Sequence, residues 1–465
     1  MLWPTTSGSY FMNLRHHLLS TTLTTLILTT TACSTVSGHK GADNFADYIW
    51  LSLGPDSQQL ARVVTAASQC PSIQLDSISQ PMTQRAKGNV PDGFSEVLTC
   101  ETTIPSSVQS ASINGTKLAL LKQPPQRIIV IGDTGCRMKG SNFQNCNGAQ
   151  GAAGPAWPFA KMAKVVAAAN PDLIVHVGDY HYREAPCPVG NKGCAGSPWG
   201  FNWPVWQQDF FKPAAPLLAK APWVFTRGNH EDCERAWKGW FYFLAPDKLS
   251  KQQWQECQLY TPTYGVELGD LTLVSMDSAS LPGAYDRSQY QETVDQYGKI
   301  YDEVNQLVQG STQSWVMTHR PIWAISSFNN KKKFGQPDIN MSDATMQAGL
   351  KASQQGVFDD SVKVLLNGHI HNFETLTFDD NRPSSMVIGD SGTDLSPGIS
   401  EALMDQNPDI FTELGLKRED FYSATGFAYT LFERQPNQQW LVHMVDIDGQ
   451  TRVSYRLVGK TLKPL

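Results

Sequence analysis

The side chains with the most evident chemistry are acids, imidazoles, an amide and a phenol, and most of them directly follow an apolar run of the chain. They are Asp133, Asp179, Tyr182, Asn229, His230, His319, His369 and His371. Carboxylates and imidazoles together form a ligand set suited to iron, zinc and manganese. A carboxylate can bridge two ions, and two ions about 3.5–4 Å apart can hold both the attacking and the leaving oxygen of a phosphoryl displacement. The residue types therefore indicate a metal site with two ions.

The elements that must position these side chains are apolar runs typical of strands buried on both faces. The runs occupy residues 127–132, 173–177, 223–226, 271–276, 315–318 and 364–366. Helical patterns lie at 158–169 and, with an apolar stripe, at 288–308. Alternating strands and helices predict an α/β fold with a central sheet. In such sheets ligands bind outside the carboxyl ends of the strands, so we expect the eight side chains to meet in one crevice.

Five motifs along the chain resemble, in the same order, those of the calcineurin-like metallophosphoesterases. They read Asp133-Thr134-Gly135, Gly178-Asp179-Tyr180-His181-Tyr182, Gly228-Asn229-His230-Glu231, His319, and Gly368-His369-Ile370-His371. The general family has His where this chain has Gly135, and Asn or Asp where it has Tyr182. Both departures are similar to those of the purple acid phosphatases, in which a His ligand is lost and a tyrosinate ligand is gained. The chain thus resembles an exported bacterial member of that branch.

The resemblance implies a dinuclear centre and a role for each matched residue. The first ion, Fe(III), would be bound by Asp133, Tyr182 and His371. The second ion, which could be Fe, Zn or Mn(II), would be bound by Asn229, His319 and His369. Asp179 would bridge the two ions, and His230 would contact the phosphate and protonate the leaving group. Because two cations lower the pKa of a bound water, a hydroxide could attack phosphorus without a covalent enzyme intermediate.

The activity implied by the resemblance is hydrolysis of phosphate monoesters, as in an acid phosphatase acting on small phosphorylated substrates. Hydrolysis of phosphodiesters or nucleotides with the same metals is the alternative, and a non-catalytic metal-binding surface lipoprotein is a remote one. The walls of the cleft would decide between the first two. A Trp-rich insertion at 181–220, which we interpret as a surface loop or as one wall, and the segment 320–345 could supply them. Arg320 either binds phosphate or has a structural role.

The resemblance also implies a layered α/β metallophosphoesterase fold, a β-sandwich flanked by helices, over residues 125–465. A small β-rich N-terminal domain would precede it at residues 43–124. The residues themselves support this smaller domain, because Asn114-Gly115 between two strand-like runs predicts a two-residue hairpin. Pro124-Pro125 marks the predicted boundary.

Residues 1–33 have the pattern of a targeting segment. A basic stretch that begins at Arg15 precedes an apolar run at 18–28, which is too short to span a membrane, and small residues lead to Cys33. This resembles a bacterial lipoprotein signal with Cys33 as the lipidated residue, and an ordinary signal cleaved near Ala32 is the alternative. We therefore expect export to the periplasm or cell surface, with membrane association only through a lipid anchor at Cys33.

The cysteines and the composition agree with an exported globular protein. Nine cysteines less Cys33 leave eight, an even number. We expect disulfide bonds between sequence neighbours, which persist in an oxidising compartment: Cys70/Cys100, Cys136/Cys146, Cys187/Cys194 and Cys233/Cys257. With 41% hydrophobic and 17% charged residues, the composition is globular, and a net charge of −6 without a Lys/Arg run gives no reason to expect nucleic acid as a partner.

Overall fold

The computed structural model of the chain describes residues 47–152, 154–246, 256–329, 337–341 and 343–465. The predicted targeting segment and Cys33 lie outside the described residues. The strands are, in chain order, β1 (Tyr48–Leu53), β2 (Gln59–Thr65), β3 (Ser72–Leu75), β4 (Ile78–Pro81), β5 (Thr83–Gln84), β6 (Leu98–Ile104), β7 (Ala111–Ile113), β8 (Thr116–Leu118), β9 (Arg127–Ile131), β10 (Met138–Lys139), β11 (Asn142–Phe143), β12 (Leu173–His176), β13 (Pro222–Phe225), β14 (Tyr264–Glu267), β15 (Leu271–Ser275), β16 (Gln313–Met317), β17 (Ile325–Asn329), β18 (Pro337–Met341), β19 (Val362–Asn367), β20 (Phe373–Phe378), β21 (Ser384–Ile388), β22 (Leu416–Ala424), β23 (Ala428–Arg434), β24 (Trp440–Asp446), β25 (Thr451–Val458) and β26 (Thr461–Pro464). The helices are α1 (Phe159–Ala168), α2 (Trp203–Trp206), α3 (Lys212–Leu218), α4 (Trp237–Gly239), α5 (Pro282–Tyr285), α6 (Tyr290–Leu307), α7 (Ala344–Ala352), α8 (Glu401–Gln406) and α9 (Asp409–Leu414).

Two large sheets carry the strands that precede the chemical residues. The first has the order β26-β25-β24-β23-β9-β12-β13-β1-β2-β6-β5, and the second has the order β14-β15-β16-β19-β21-β20-β22. The α/β class and the layered arrangement are confirmed, but the prediction of one central sheet is wrong. Apolar runs show that strands are buried on both faces, and they do not show which strands pair. Within each sheet the relevant strands, β9-β12-β13 and β15-β16-β19-β21, are parallel.

The two sheets pack face to face, with helices on their outer faces. The Trp315 ring of the second sheet lies 4.5 Å from the ring of Phe432 and 4.9 Å from that of Trp440, both in the first sheet. Burial of such aromatic and aliphatic side chains holds the layers together. On the outer face of the second sheet, α6 packs its predicted apolar stripe, including Tyr297 and Tyr301, into a core shared with the sheet. This helix confirms the prediction at 288–308.

The N-terminal region joins the first sheet. Strand β1 pairs in parallel with β13, with Leu51 opposite Pro222, and the sheet continues through β2 and β6. A separate four-stranded sheet, β4-β3-β7-β8, shares an apolar cluster with these strands. Its hairpin turns at Asn114 and Gly115, whose φ angles of 49° and 80° are those of the predicted turn. Strands that precede residues 124–125 and strands that follow them thus belong to the same sheet. The division into two domains at this point stays a prediction.

The four predicted disulfide bonds are present: Cys70–Cys100, Cys136–Cys146, Cys187–Cys194 and Cys233–Cys257. They indicate an oxidising compartment. In the part of the chain that the structure describes, no helix is both long and apolar enough to cross a membrane.

The first half of the Trp-rich insertion fits the surface-loop interpretation, because residues 184–202 form neither helix nor strand and contain the Cys187–Cys194 disulfide. Its second half is helical, because α2, a π-helical turn (Gln207–Phe211) and α3 follow one another directly. Asn202 caps the start by accepting a hydrogen bond from the Val205 N–H. Trp203 and Trp206 are buried against the core, and only Trp199 is exposed. The apolar faces of these rings point inward, so this part is neither a surface loop nor a cleft wall.

Candidate metal centre

The turns that follow five parallel strands bring the eight predicted side chains together. Asp133 follows β9, Asp179 follows β12 and Asn229-His230 follow β13 in the first sheet, whereas the second sheet contributes the residues after β16 and β19. Asp133, Asp179 and His369 have positive φ angles of 54°, 60° and 72°. Such angles are strained for residues other than glycine and are often retained at functional sites.

One half of the site is built around the Tyr182 hydroxyl. Its oxygen lies 2.8 Å from Oδ1 of Asp133, 2.7 Å from Oδ2 of Asp179 and 3.0 Å from Nε2 of His371. The His371 ring is oriented by its other nitrogen, since Nδ1 lies 2.8 Å from the carbonyl oxygen of Asp394. All four side chains therefore direct one donor atom at a common point.

The other half is built around the Asn229 amide. Its Oδ1 lies 3.0 Å from Nε2 of His319 and 2.7 Å from Nδ1 of His369. The His319 Nε2 is also 3.2 Å from Oδ2 of Asp179. The Asp179 carboxylate thus borders both halves, as a bridging ligand must.

These separations fit two metal ions. Donor atoms that bind one ion at about 2.0–2.2 Å and at right angles lie about 3 Å from each other. Asp133, Asp179 and His319 offer three donor atoms that lie within 4.8 Å of one another. Burial, with the neighbouring Asp133 and Asp179 carboxylates, raises the pKa of the Tyr182 phenol well above its usual value. A cation is what would stabilise a tyrosinate among buried acids.

The pKa of His319 also indicates that the centre favours a positive charge. Burial opposes its protonation, but the Asp179 and Asp133 carboxylates and the Val177 carbonyl oxygen together outweigh burial and raise the pKa of His319 to about 9. Its Nδ1 lies 2.9 Å from the Val177 carbonyl oxygen, so the ring is fixed with Nε2 toward the centre. A proton on that nitrogen occupies the place that a cation would take.

Two glycines make room for this arrangement. A Cβ on Gly228 would lie 2.1 Å from Oδ1 of Asp179, and one on Gly135 would lie 2.7 Å from the Tyr180 carbonyl oxygen. The Gly135 site is also filled from the side by the ring of Tyr182, 3.0 Å away. A side chain at 135 would therefore meet both the backbone after Asp179 and the Tyr182 ring, so this turn accommodates only a glycine without rearrangement.

His230 lies beside both halves. Its Nε2 is 3.9 Å from Oδ2 of Asp179, and its ring centre is 4.0 Å from that of Tyr182. Its Nδ1 is 2.6 Å from Oε1 of Glu184, whose other oxygen pairs with Lys139 at 2.9 Å. Burial lowers the pKa of His230 to about 4, although the Asp179 and Glu184 charges oppose this shift.

Sequence reasoning did not find Glu184. A signal was present, because Glu184 is two residues after Tyr182, and alternate residues of an extended segment share a face. Glu231 has a different role: its carboxylate accepts hydrogen bonds from the N–H groups of Tyr180, His181 and Gly228 and so joins two of the turns. The His181 side chain is buried, with Nε2 2.8 Å from the Gly200 carbonyl oxygen, and takes no part in the site.

A cavity of about 590 Å³ opens over the centre. Besides the predicted residues it is lined by Arg137, Tyr285 and Arg320, and by none of the three insertion tryptophans. The Arg137 guanidinium lies over the Tyr182 ring at 5.6 Å, and Arg320 Nη1 lies 3.2 Å from Nε2 of His369. Two arginines at a buried polar centre favour anionic ligands.

Comparisons with known proteins agree with this geometry. Residues 126–373, more than half of the chain, match the family model of the calcineurin-like phosphoesterases. A purple acid phosphatase from yellow lupin (Lupinus luteus) seeds has a similar fold, with a TM-score of 0.55, 14% identity, and coverage of 88% of this chain and 74% of the lupin chain. The structure of PhoD gives a TM-score of 0.51 at 11% identity, covering 91% of this chain and 93% of that one. No curated protein matches the chain in sequence.

Proposed function

The chain belongs to the calcineurin-like phosphoesterase family, and we propose that it is an acid phosphatase-like enzyme that hydrolyses phosphate monoesters. The observation that carries this proposal is the Tyr182 hydroxyl, which lies within 3.0 Å of two carboxylates and one imidazole. A phenolate is a hard anionic donor that suits Fe(III). The resemblance to the purple acid phosphatases rests on the same residue.

In this proposal the centre holds two ions. The first, Fe(III), has as its ligands Asp133, Asp179, Tyr182 and His371. The second, Fe, Zn or Mn(II), has as its ligands Asp179, Asn229, His319 and His369. When bound, the ions would neutralise charge on the phosphoryl oxygens and lower the pKa of a coordinated water. The side chains keep the centre buried and fix its shape, since strand ends from two sheets and two oriented histidines hold the donor atoms.

His230 supplies a proton to the leaving group. With Glu184 beside Nδ1, the proton of the neutral ring stays on Nδ1, so Nε2 carries a proton only in the imidazolium form. Because burial lowers the pKa of His230 to about 4, low pH favours that form. General acid catalysis by this group therefore supports an optimum on the acidic side of neutrality.

The test combines turnover, metal content and absorption. Purified protein is assayed with p-nitrophenyl phosphate and bis(p-nitrophenyl) phosphate, and its iron, zinc and manganese are measured. We expect faster hydrolysis of the monoester, two metal ions per chain, and a visible absorption band from tyrosinate-to-iron charge transfer. Tyr182→Phe should abolish the band, whereas Tyr180→Phe, which changes a buried hydroxyl bound to the Thr226 carbonyl oxygen instead, should keep it.

Two results would contradict the proposal. If the oxidised, iron-loaded protein lacked the charge-transfer band, Tyr182 would not be an iron ligand. Faster hydrolysis of the bis-ester would make the enzyme a phosphodiesterase.

We also propose export to the periplasm or cell surface, with a lipid anchor at Cys33, because four disulfide bonds need an oxidising compartment. Mass spectrometry of the mature protein would detect a diacylglyceryl group on Cys33. An unmodified N-terminus after Ala32 would leave a cleaved signal instead.

A further inference from the structure

A second cavity adjoins the one over the candidate metal centre. This neighbour has a volume of about 360 Å³, and its lining includes Arg235, Leu259 and Pro282. Tyr285 and Arg320 line both cavities. A phosphate ester held at the centre therefore has space for its alcohol on the far side of these two side chains.

Tyr285 presents an aromatic ring at this junction. It ends the short helix α5, and its side chain is 78% exposed although it borders the cleft. The helix is held in place, since the Gly283 N–H donates a 3.0 Å hydrogen bond to Oγ1 of Thr293 on α6. An exposed ring on a fixed support offers a face on which a planar aromatic group can stack.

Arg320 presents positive charge beside that ring. The guanidinium carbon of Arg320 is 5.9 Å from the Tyr285 ring centre. The backbone N–H of Arg320 donates a 2.8 Å hydrogen bond to Oγ of Ser278, which fixes the backbone at this residue. Its Nε is buried and, among the described residues, has no hydrogen-bond partner. Buried donors are normally paired, so an unpaired one at a cavity fits a ligand oxygen.

The guanidinium contacts His369 through Nη1, and the Asp343 carboxylate, which lines the same cavity, interacts with it electrostatically. Nη1 donates to Nε2 of His369 only while the proton of that ring is on Nδ1, which faces Asn229. A cation bound at Nδ1 would move the proton to Nε2, and two donors cannot bond to each other. With a cation at Nδ1 the Nη1 bond to His369 would be lost, and Nη1 and the unpaired Nε of Arg320 could both bind a phosphoryl oxygen.

We propose that Tyr285 and Arg320 form a leaving-group subsite that selects phosphate monoesters of aromatic alcohols. Arg320 binds a phosphoryl oxygen, and the aromatic ring of the alcohol stacks on Tyr285. This inference rests on the proposed function, because it needs a phosphoryl group at the metal centre.

The experiment measures binding rather than turnover. Phenylphosphonate and methylphosphonate, whose P–C bonds are not hydrolysed, are titrated calorimetrically into the metal-loaded protein. We expect phenylphosphonate to bind about fivefold more tightly, as one aromatic pair allows. Tyr285→Ala should remove this preference and leave methylphosphonate binding unchanged, whereas Tyr285→Phe should keep it. Arg320→Ala should weaken both ligands about tenfold or more.

Trp199→Ala serves as the matched control, because Trp199 is an exposed aromatic residue that lines neither cavity. This variant should keep the preference. Equal binding of the two phosphonates by the unchanged protein, or a preference that persists in Tyr285→Ala, would overturn the subsite. Binding of neither phosphonate would instead overturn the proposed function, and the subsite with it.

Discussion

Two of the clusters in which the protein buries charge are balanced in different ways. In the first, Arg62 and Arg85 flank Glu101 and donate to carbonyl oxygens of residues 241–245, at the end of a π-helical turn (Trp240–Leu244). Arg85 Nη1 lies 2.6 Å from Oε2 of Glu101, and Arg62 Nη2 lies 3.3 Å from it. In this cluster the protein itself supplies the partners, namely one carboxylate shared by both guanidinium groups and several carbonyl oxygens.

The candidate metal centre is built in the opposite way. Asp133, Asp179 and Tyr182 direct their oxygens at one another, and burial raises the pKa of both Asp133 and Tyr182. Among them lies Nε2 of His319, 3.2 Å from Oδ2 of Asp179, and the carboxylates raise the pKa of His319 to about 9. A charge cluster that is complete within the chain stabilises the fold, whereas one that needs an added cation has a function. The two should therefore respond differently to substitution.

The largest effect is expected from Asp179→Asn. Loss of the shared carboxylate should remove at least one ion and lower turnover on the order of 10³-fold or more, beyond the 10–100-fold typical of residues that only support metal ligands. Metal analysis and p-nitrophenyl phosphate hydrolysis measure this. Asp448→Asn, at an exposed acid paired with Lys161, should change neither quantity. Full metal content in the Asp179 variant would mean that this carboxylate is not a bridging ligand.

Arg62→Ala should have the opposite effect, with a loss of stability and no loss of metal. The substitution leaves the Phe243, Leu244 and Ala245 carbonyl oxygens without this donor, and breaking a buried pair costs about 3–5 kcal/mol. Urea denaturation should show that loss, with unchanged metal content in the folded protein. Lys122→Ala, which removes an exposed partner of Asp172, should cost less than about 1 kcal/mol. An Arg62 variant of full stability that had lost metal would abolish the distinction between the clusters.

The sequence predicted best the features that depend on residues close to one another in the chain. The Asn114-Gly115 hairpin, helix α6 and the disulfide between Cys136 and Cys146 depend on residues that are near in sequence, and each is present. The site residues could be predicted as a set because each follows a strand end, where parallel strands must bring polar groups together. Their roles as ligands stay predictions.

What depends on pairing between distant segments could not be predicted. Apolar runs gave the strands but not their division between two sheets, since a strand buried on both faces looks the same in either. Aromatic residues in the insertion did not show that Trp203 and Trp206 face inward on a helix. Arg62 carries no local signal, because Glu101 lies 39 residues away and the carbonyl oxygens that it binds lie more than 180 residues away.

Another buried acid, Glu374, tests the comparison through the pH dependence of stability. Glu374 accepts hydrogen bonds from Nδ2 of Asn372 and the Ile325 N–H, but burial outweighs both bonds and raises its pKa to about 8. The folded state thus holds the proton more tightly, so this stability is present below about pH 4.5 and lost as pH rises through about 8. At 1.36 kcal/mol per pKa unit, the free energy of unfolding should fall by about 3 kcal/mol between about pH 5 and 7.5.

Glu374→Gln stays neutral and should flatten that dependence in urea denaturation at several pH values. Glu292→Gln, at an exposed position of α6, should leave the slope as it is. An unchanged slope in the Glu374 variant would show that this acid is ionised in the folded protein.

The smallest effect is expected from Glu184, which belongs to both kinds of cluster, since it pairs with Lys139 yet orients His230. Glu184→Gln should lower turnover about 10–100-fold at unchanged metal content. Removing this negative charge disfavours the imidazolium, so the pKa of His230 falls and the activity optimum should move to lower pH. Glu184→Asp keeps the charge and should restore part of the shift. If turnover fell equally at all pH values, with no change of optimum, Glu184 would have only a structural role, like the residues of the Arg62 cluster.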